Sequence, residues 1–161
     1  MQKEEAFSSM IKNHEGIIYK ITRVYCDTPD DQMDLYQDIV YQLWKGFDSF
    51  KGNSKRSTWM YRVALNTAYS FLRKQKKRGL KVAIDHLHLS YEIKDSLLEE
   101  RLEEMYAQIK KLKEMDRAII LLLLEGKKYE EIATITGFTQ SNVATRISRI
   151  KEKLRAQLAQ K

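Results

Sequence analysis

A single cysteine, Cys26, stands among 161 residues, so no disulfide can close within the chain. Nothing ties the fold to an oxidising compartment, and a cytoplasmic protein is expected. Proline occurs once and glycine six times. Turn material is too scarce for the many tight turns of a β-sandwich or barrel, which leaves an all-α fold as the expectation. Apolar runs are short: the longest, 118–124, spans about two helical turns, far fewer than the ~20 residues that cross a bilayer. Residues 1–5 lack a basic stretch leading into an apolar one, so no secretory signal is expected. Ligating and nucleophilic groups do not assemble either. His86 and His88 form an isolated His-x-His that only Cys26 or His14 could complete, and this is too little for a zinc site. With no glycine-rich phosphate loop and the carboxylates in runs on polar helix faces, the expectation is a protein without catalytic residues, metal, cofactor or small-molecule substrate.

Hydrophobic residues make up 43% of the chain and charged residues 32%, which is globular composition. The formal charge of +7 favours a polyanionic partner, either nucleic acid or an anionic membrane. Its distribution says more than its total. Residues 27–38 carry five acids and no base, and 49–84 carry ten bases and no acid. Residues 85–104 return to seven acids against two bases, and 142–161 end with six bases and one acid. Any one block is most simply a solvated face. Two basic blocks separated by an acidic one, each beside a motif, suggest two modules that touch the same polyanion.

The first helix reads Phe7, Met10, Ile11, His14, Ile17, Ile18, Ile21, Val24 and Tyr25 at 3-4 spacing. Thr28 and Pro29 open a second, as N-cap and N1, with Asp30 and Asp31 at its positive end. Its expected inward stripe is Met33, Tyr36, Val40, Leu43, Trp44 and Phe47. A polar loop over 48–56 leads to Ser57 or Thr58, either of which could cap a third helix. That helix would turn Trp59, Met60, Val63, Ala64, Thr67 and Phe71 inward. One three-helix module thus fills 1–78. Over 79–94 no period holds, and a flexible linker is expected. The second module, 95–161, begins with a helix over 97–112 whose Leu98, Leu102, Met105, Tyr106 and Ile109 share a face. A further helix over 116–125 stops at Gly126, in a C′ position.

Two short helices follow, and they carry the sharpest motif. Ala133 is the small residue that a steep helix crossing needs. Gly137, four residues later, suits a turn with φ > 0. Thr139 can cap the next helix, with Val143, Ile147 and Ile150 inward. Its outward row is then Gln140, Ser141, Asn142, Thr145, Arg146, Arg149 and Lys153. Amides and hydroxyls at the N-terminal end, with arginines further along, suit a helix that enters the major groove of DNA. The first module differs: aromatic residues interleave with its ten bases, a surface suited to unpaired nucleic acid. Trp44, Phe47, Trp59 and Phe71 are expected inside, which leaves Phe50, Tyr61 and Tyr69 for a partner.

The run Asp34-Leu35-Tyr36-Gln37-Asp38-Ile39 to Trp44, then Phe50-Lys51-Gly52-Asn53, then Thr58-Trp59-Met60-Tyr61-Arg62-Val63-Ala64-Leu65-Asn66, resembles region 2 of bacterial sigma-70 family factors. The helix-turn-helix, with Asp116-Arg117 before it and Thr145-Arg146-Ile147-Ser148-Arg149 within it, is similar to their region 4. Region 2 followed directly by region 4 in a short chain resembles the extracytoplasmic-function subfamily. One departure is Lys55-Arg56-Ser57, where family members often place an aromatic and a basic residue.

The resemblance implies a subunit that binds core RNA polymerase and directs initiation at promoters with −10 and −35 elements. It implies that Asp34, Gln37, Asp38 and Gln42 dock the clamp coiled coil of the polymerase. Lys51, Asn53, Ser54, Lys55 and Arg56 would read the −10 element on the melted strand, Asn53 capturing an extruded base. Tyr61, Arg62, Asn66, Tyr69, Arg73 and Lys74 would line the DNA path. Thr139, Gln140, Ser141, Asn142, Thr145, Arg146, Arg149 and Lys153 would read the −35 duplex, while apolar residues within 119–123 would touch the polymerase flap or belong to the core. An anti-sigma factor, membrane-bound or not, is the further partner it implies. Two other readings stay open on the residues alone: a self-sufficient helix-turn-helix repressor or activator, and a basic amphipathic protein at an anionic membrane.

Overall fold

A computed structural model describes residues 2–52, 55–78 and 96–160. Those residues form seven α-helices and one 3-10 turn, with no strand among them: α1 (Gln2–Tyr25), α2 (Pro29–Gly46), the turn (Phe47–Ser49), α3 (Arg56–Arg78), α4 (Ser96–Lys110), α5 (Glu114–Leu124), α6 (Tyr129–Thr136) and α7 (Gln140–Ala159). The chain divides into two compact units, Met1–Leu89 and Ser90–Lys161. The linker expected over 79–94, including His86 and His88, lies outside the described residues, as do Asn53 and Ser54.

In the first unit α1, α2 and α3 pack pairwise on one another. Met10, Ile18, Ile21, Leu35, Ile39, Leu43 and Met60 fill the interior as its largest fully buried side chains. Helix α1 is longer than one straight rod: at His14 the backbone leaves helical geometry (φ −129°, ψ 16°), and the ring Nδ1–H donates to the Met10 carbonyl at 2.9 Å. The hydrophobic spacing runs unbroken across this kink, which is why periodicity alone misses it. Thr28 caps α2 as expected, its Oγ1 accepting from the Asp31 amide at 3.1 Å, with Pro29 in the first turn.

The α2 stripe differs from the expected one. Leu35, Ile39 and Leu43 are fully buried, whereas Met33 is 60% exposed. The buried face is rotated roughly a quarter turn from the face centred on Tyr36 and Val40. Helix α2 is apolar around more than half its girth, so 3-4 spacing admits both stripes and only packing against α1 and α3 selects one. Helix α3 also starts earlier than expected, at Arg56. Neither Ser57 nor Thr58 is its cap; Thr58 is buried in the first turn, and the Trp59 amide reaches the Lys55 carbonyl at 3.1 Å.

The second unit centres on α5, α6 and α7, with α4 against α5 and α7. Ala118, Ile119 and Leu122 on α5, Ile132 on α6, and Val143, Ile147 and Ile150 on α7 form its core. Helix α4 contributes Tyr106 and Ile109 but leaves Leu98 52% exposed, against expectation. Helix α5 ends in a Schellman motif at Gly126 (φ +81°). The Lys127 amide donates to the Leu122 carbonyl and the Gly126 amide to the Leu123 carbonyl, each at 3.0 Å.

Two glycines with opposite backbone demands give opposite predictions. Gly137 sits at φ +84°, where a Cβ is strained, so Gly137→Ala should destabilise the second unit by about 1 kcal/mol. Gly16 is helical, exposed and has open space where a Cβ would lie, so Gly16→Ala should stabilise the first unit by ~0.5–1 kcal/mol. Both tryptophans, Trp44 and Trp59, belong to the first unit. Gly16→Ala should therefore raise the unfolding midpoint seen by tryptophan fluorescence. Gly137→Ala should lower one seen by circular dichroism but not by fluorescence.

Candidate nucleic-acid interface

Helix α2 turns a polar stripe to solvent opposite its buried one. Asp34, Gln37, Asp38 and Gln42 are all exposed and follow i, i+3, i+4, i+8 along one face. Tyr41, 58% exposed, stands at i+7 in the same row with the Lys45 ammonium 5.4 Å from its ring centroid. An exposed tyrosine and methionine, Tyr41 and Met33, thus stand beside the four polar residues. Sequence reasoning missed Tyr41, although its i+7 spacing from Asp34 was the available signal.

Beyond α2 an aromatic cluster braces the polar loop. Phe7 sets its ring edge-on to Trp44 at 5.0 Å and to Phe47 at 5.5 Å. Lys3 lies 4.2 Å over the Trp44 ring and pairs with Asp48 at 2.7 Å. Phe50 packs against Trp59 with centroids 5.0 Å apart. Gly46 allows this approach, since a Cβ there would come within 3.3 Å of Trp59 Cζ2. The loop therefore leaves and rejoins the unit at fixed points, with Lys51, Lys55 and Arg56 exposed. Arg56 also places its guanidinium 5.9 Å from the Phe50 ring.

Of the three rings expected to meet a partner, one is interior and the other two are half-buried against further rings. Tyr61 is 3% exposed and belongs to the core, Phe50 stacks on Trp59, and Tyr69 sets its edge against Tyr25 at 5.8 Å. Close packing in a small unit consumed rings that the sequence pattern alone left over. What remains outward on α3 is a polar and basic row, Arg62, Asn66, Arg73 and Lys74.

In the second unit Gly137 ends α6 in the left-handed region, and the Thr139 side chain accepts from the Asn142 amide at 3.0 Å to start α7. Gln140, Ser141, Asn142, Thr145, Arg149 and Lys153 are exposed, as the motif implied. Ala133 is half-buried, with its carbonyl taking the Gly137 amide at 2.9 Å. Arg146 differs from its neighbours: its guanidinium pairs with Asp116 of α5 at 3.1 Å and donates from Nε to Asn142 Oδ1 at 3.2 Å. Among the described α-helices, α3 and α7 alone have no acid in the first turn. Their positive ends thus carry no neutralising acid in the first turn.

Comparison with known proteins matches this arrangement twice over. Residues 10–78 match the family model for sigma-70 region 2, and residues 102–154 that for sigma-70 region 4. RNA polymerase sigma factor SigV of Bacillus subtilis is 32% identical over 152 residues, spanning 92% of this chain and 88% of that one. The ECF RNA polymerase sigma-E factor of Escherichia coli is 29% identical over 162 residues, spanning 92% and 84%. The chain belongs to the sigma-70 family, in its extracytoplasmic-function branch. The same fold recurs in the sigma factor RpoE solved with the anti-sigma factor NepR from Bartonella quintana, with TM-score 0.76 at 22% identity over 96% of this chain and 98% of that one. It recurs again in CnrH solved with the cytosolic domain of CnrY, with TM-score 0.72 at 22% identity over 97% and 89%.

Within the region 4 unit, the apolar run suggested for a polymerase contact is interior. Ile119, Ile120, Leu121 and Leu122 are all buried, because α5 is the central helix on which α4, α6 and α7 converge. Leu123 is half-buried and Leu124 is 54% exposed at the end of that helix. In the region 2 unit, Phe7→Ala should cost about 2 kcal/mol, the loss of a half-buried ring with two edge contacts. Urea unfolding followed by tryptophan fluorescence reads that unit alone and checks the figure.

Proposed function

We propose that this sigma factor binds core RNA polymerase through α2 and opens promoter DNA with the loop and α3 of its region 2 unit. In this reading Asp34, Gln37, Asp38 and Gln42 dock on the clamp coiled coil, with Tyr41 and Met33 adding apolar contact beside them. Lys51, Lys55 and Arg56, with Asn53 and Ser54 between them in sequence, read the −10 element on the melted strand. Arg62, Asn66, Arg73 and Lys74 then follow its backbone. In the region 4 unit α7 enters the major groove of the −35 element. There Thr139, Gln140, Ser141, Asn142, Thr145 and Arg149 face base edges and phosphates, and Lys153 lies along the backbone.

The observation that carries this reading is the opposition of charge inside one small unit. Helix α2 exposes an acidic and amide row, while the loop and α3 expose a basic one beside a helix start without acids. A repressor acting alone needs only the second surface. The first repels DNA and fits a protein partner instead.

Extruding a base costs a few kcal/mol, and three exposed cations with one candidate pocket residue, Asn53, are a small return. Polymerase supplies the rest, so the chain acts by binding and the chemistry of RNA synthesis belongs to its partner. It works in the cytoplasm, where polymerase and promoters meet, under an anti-sigma factor of the kind that the solved relatives carry. Among the described residues no helix is long and apolar enough to cross a membrane.

Asp38→Arg should abolish assembly with core polymerase in a gel-filtration or fluorescence binding assay. Asn53→Ala should leave assembly intact and reduce permanganate reactivity of unpaired thymines near the −10 position. Tight binding to promoter duplex by the free protein, independent of Asp38, would favour the self-sufficient repressor. In holoenzyme binding to promoter duplex, Lys153→Ala should weaken all sequences alike and lower the slope of log affinity against log salt by roughly 1.

A further inference from the structure

We propose that Arg146 does not read a base but positions Asn142, and thereby sets the base that Asn142 prefers. By sequence Arg146 looks like a reader, since it follows Asn142 by one helical turn on the outward row. Its guanidinium is nevertheless engaged on three sides. One terminal nitrogen meets Asp116 Oδ1 at 3.1 Å, Nε donates to Asn142 Oδ1 at 3.2 Å, and Cζ lies 4.3 Å from the Phe138 ring centroid. Asp116 is 8% exposed, and within the described contacts Arg146 is the cation that pairs with it.

To grip guanine, an arginine aims two N–H groups of its fork at O6 and N7. With Nε and one terminal nitrogen already committed to Asn142 and Asp116, re-aiming the whole fork would strip the largely buried Asp116 carboxylate of its partner, a cost that a base contact would have to offset. It would also give up the Phe138 ring, which holds the guanidinium plane in place. The arginine stays where it is, and its effect on DNA is exerted through Asn142.

That effect has a direction. Arginine carries donors only, so the amide of Asn142 must turn its oxygen toward Arg146 and its NH2 group away. Asn142 is exposed in the first turn of α7, where side chains of a major-groove helix meet base edges. Adenine is read by an amide that presents oxygen and NH2 together, to N6–H and N7. With its oxygen held back along the helix, Asn142 offers donors alone. Those suit adjacent acceptors, and guanine, with O6 beside N7, is the base that supplies them. Without Arg146 the amide is free to turn and take adenine.

The inference rests on the region 4 unit reading duplex DNA, and the test separates the two. Holoenzyme made from core polymerase and the full chain is incubated with duplexes randomised across the −35 element, and the bound fraction is sequenced. The wild type should prefer guanine at one position, and Asn142→Ala should erase that preference. Arg146→Met and Asp116→Asn should each shift the guanine-to-adenine ratio at that same position about tenfold toward adenine, with every other position unchanged. Circular dichroism confirms that each variant keeps its helix content. Asp116→Asn, which preserves side-chain shape, carries the test if Arg146→Met does not fold. Loss of preference at a second position in Arg146→Met, one that Asn142→Ala leaves intact, would make Arg146 a reader and overturn the proposal. An unchanged ratio in Asp116→Asn would overturn it too. A wild-type holoenzyme that enriches no −35 sequence would instead refute the DNA-reading role of the unit, and the proposal with it.

Discussion

A carboxylate that cannot be left alone organises the region 4 unit. Asp116 is buried on α5, and a buried charge is tolerated only when a partner and hydrogen bonds replace the water it has lost. Arg146 on α7 is that partner. The pair therefore ties the recognition helix to the central helix of the unit, thirty positions away in sequence. The left-handed turn at Gly137 and the Thr139 cap settle where α7 begins. The apolar residues Val143, Ile147 and Ile150 settle which face is inward. The ion pair adds what apolar packing does not, a directional contact at the edge of the DNA-facing row.

The region 2 unit solves a different problem with aromatic rings. A loop that is to meet unpaired bases needs fixed ends, and a unit of three helices has little interior to anchor it. Here Phe7 packs on Trp44 and Phe47 before the loop, and Phe50 at its start packs on Trp59 beyond its end. Rings of the kind that stack on bases elsewhere are used as a brace. The exposed charge that is left falls into two rows of opposite sign on separate helices. Because α2 and α3 bury their apolar faces against each other and α1, their polar faces point to different surroundings. One small unit therefore carries two exposed surfaces of opposite character.

Several features were legible before any coordinates. The Thr28 cap with Pro29 behind it, the stop at Gly126, the turn at Gly137 and the inward Val143, Ile147 and Ile150 all follow from local stereochemistry or from spacing within one helix. Such rules act over a few residues, so the sequence carries them whole. The row Asp34, Gln37, Asp38 and Gln42 came from the resemblance to region 2, and the helix does set all four on one exposed face.

Where a face had to be chosen against a partner helix, the tertiary structure decided. Periodicity offered two overlapping stripes on α2, and packing buried Leu35 and Ile39 while leaving Met33 outside. It placed Tyr61 in the core and Leu98 in solvent, because burial depends on which neighbour reaches that level of the helix. It also paired Arg146 with Asp116 and set it against Asn142, contacts that its place on the outward row does not announce. The sequence by itself determined the helices, their caps and the two-module order that marks the family, all of which are local or additive properties. Which outward side chains remain free to meet DNA was decided only in three dimensions, because a charged group goes first to whatever buried partner the fold brings within reach.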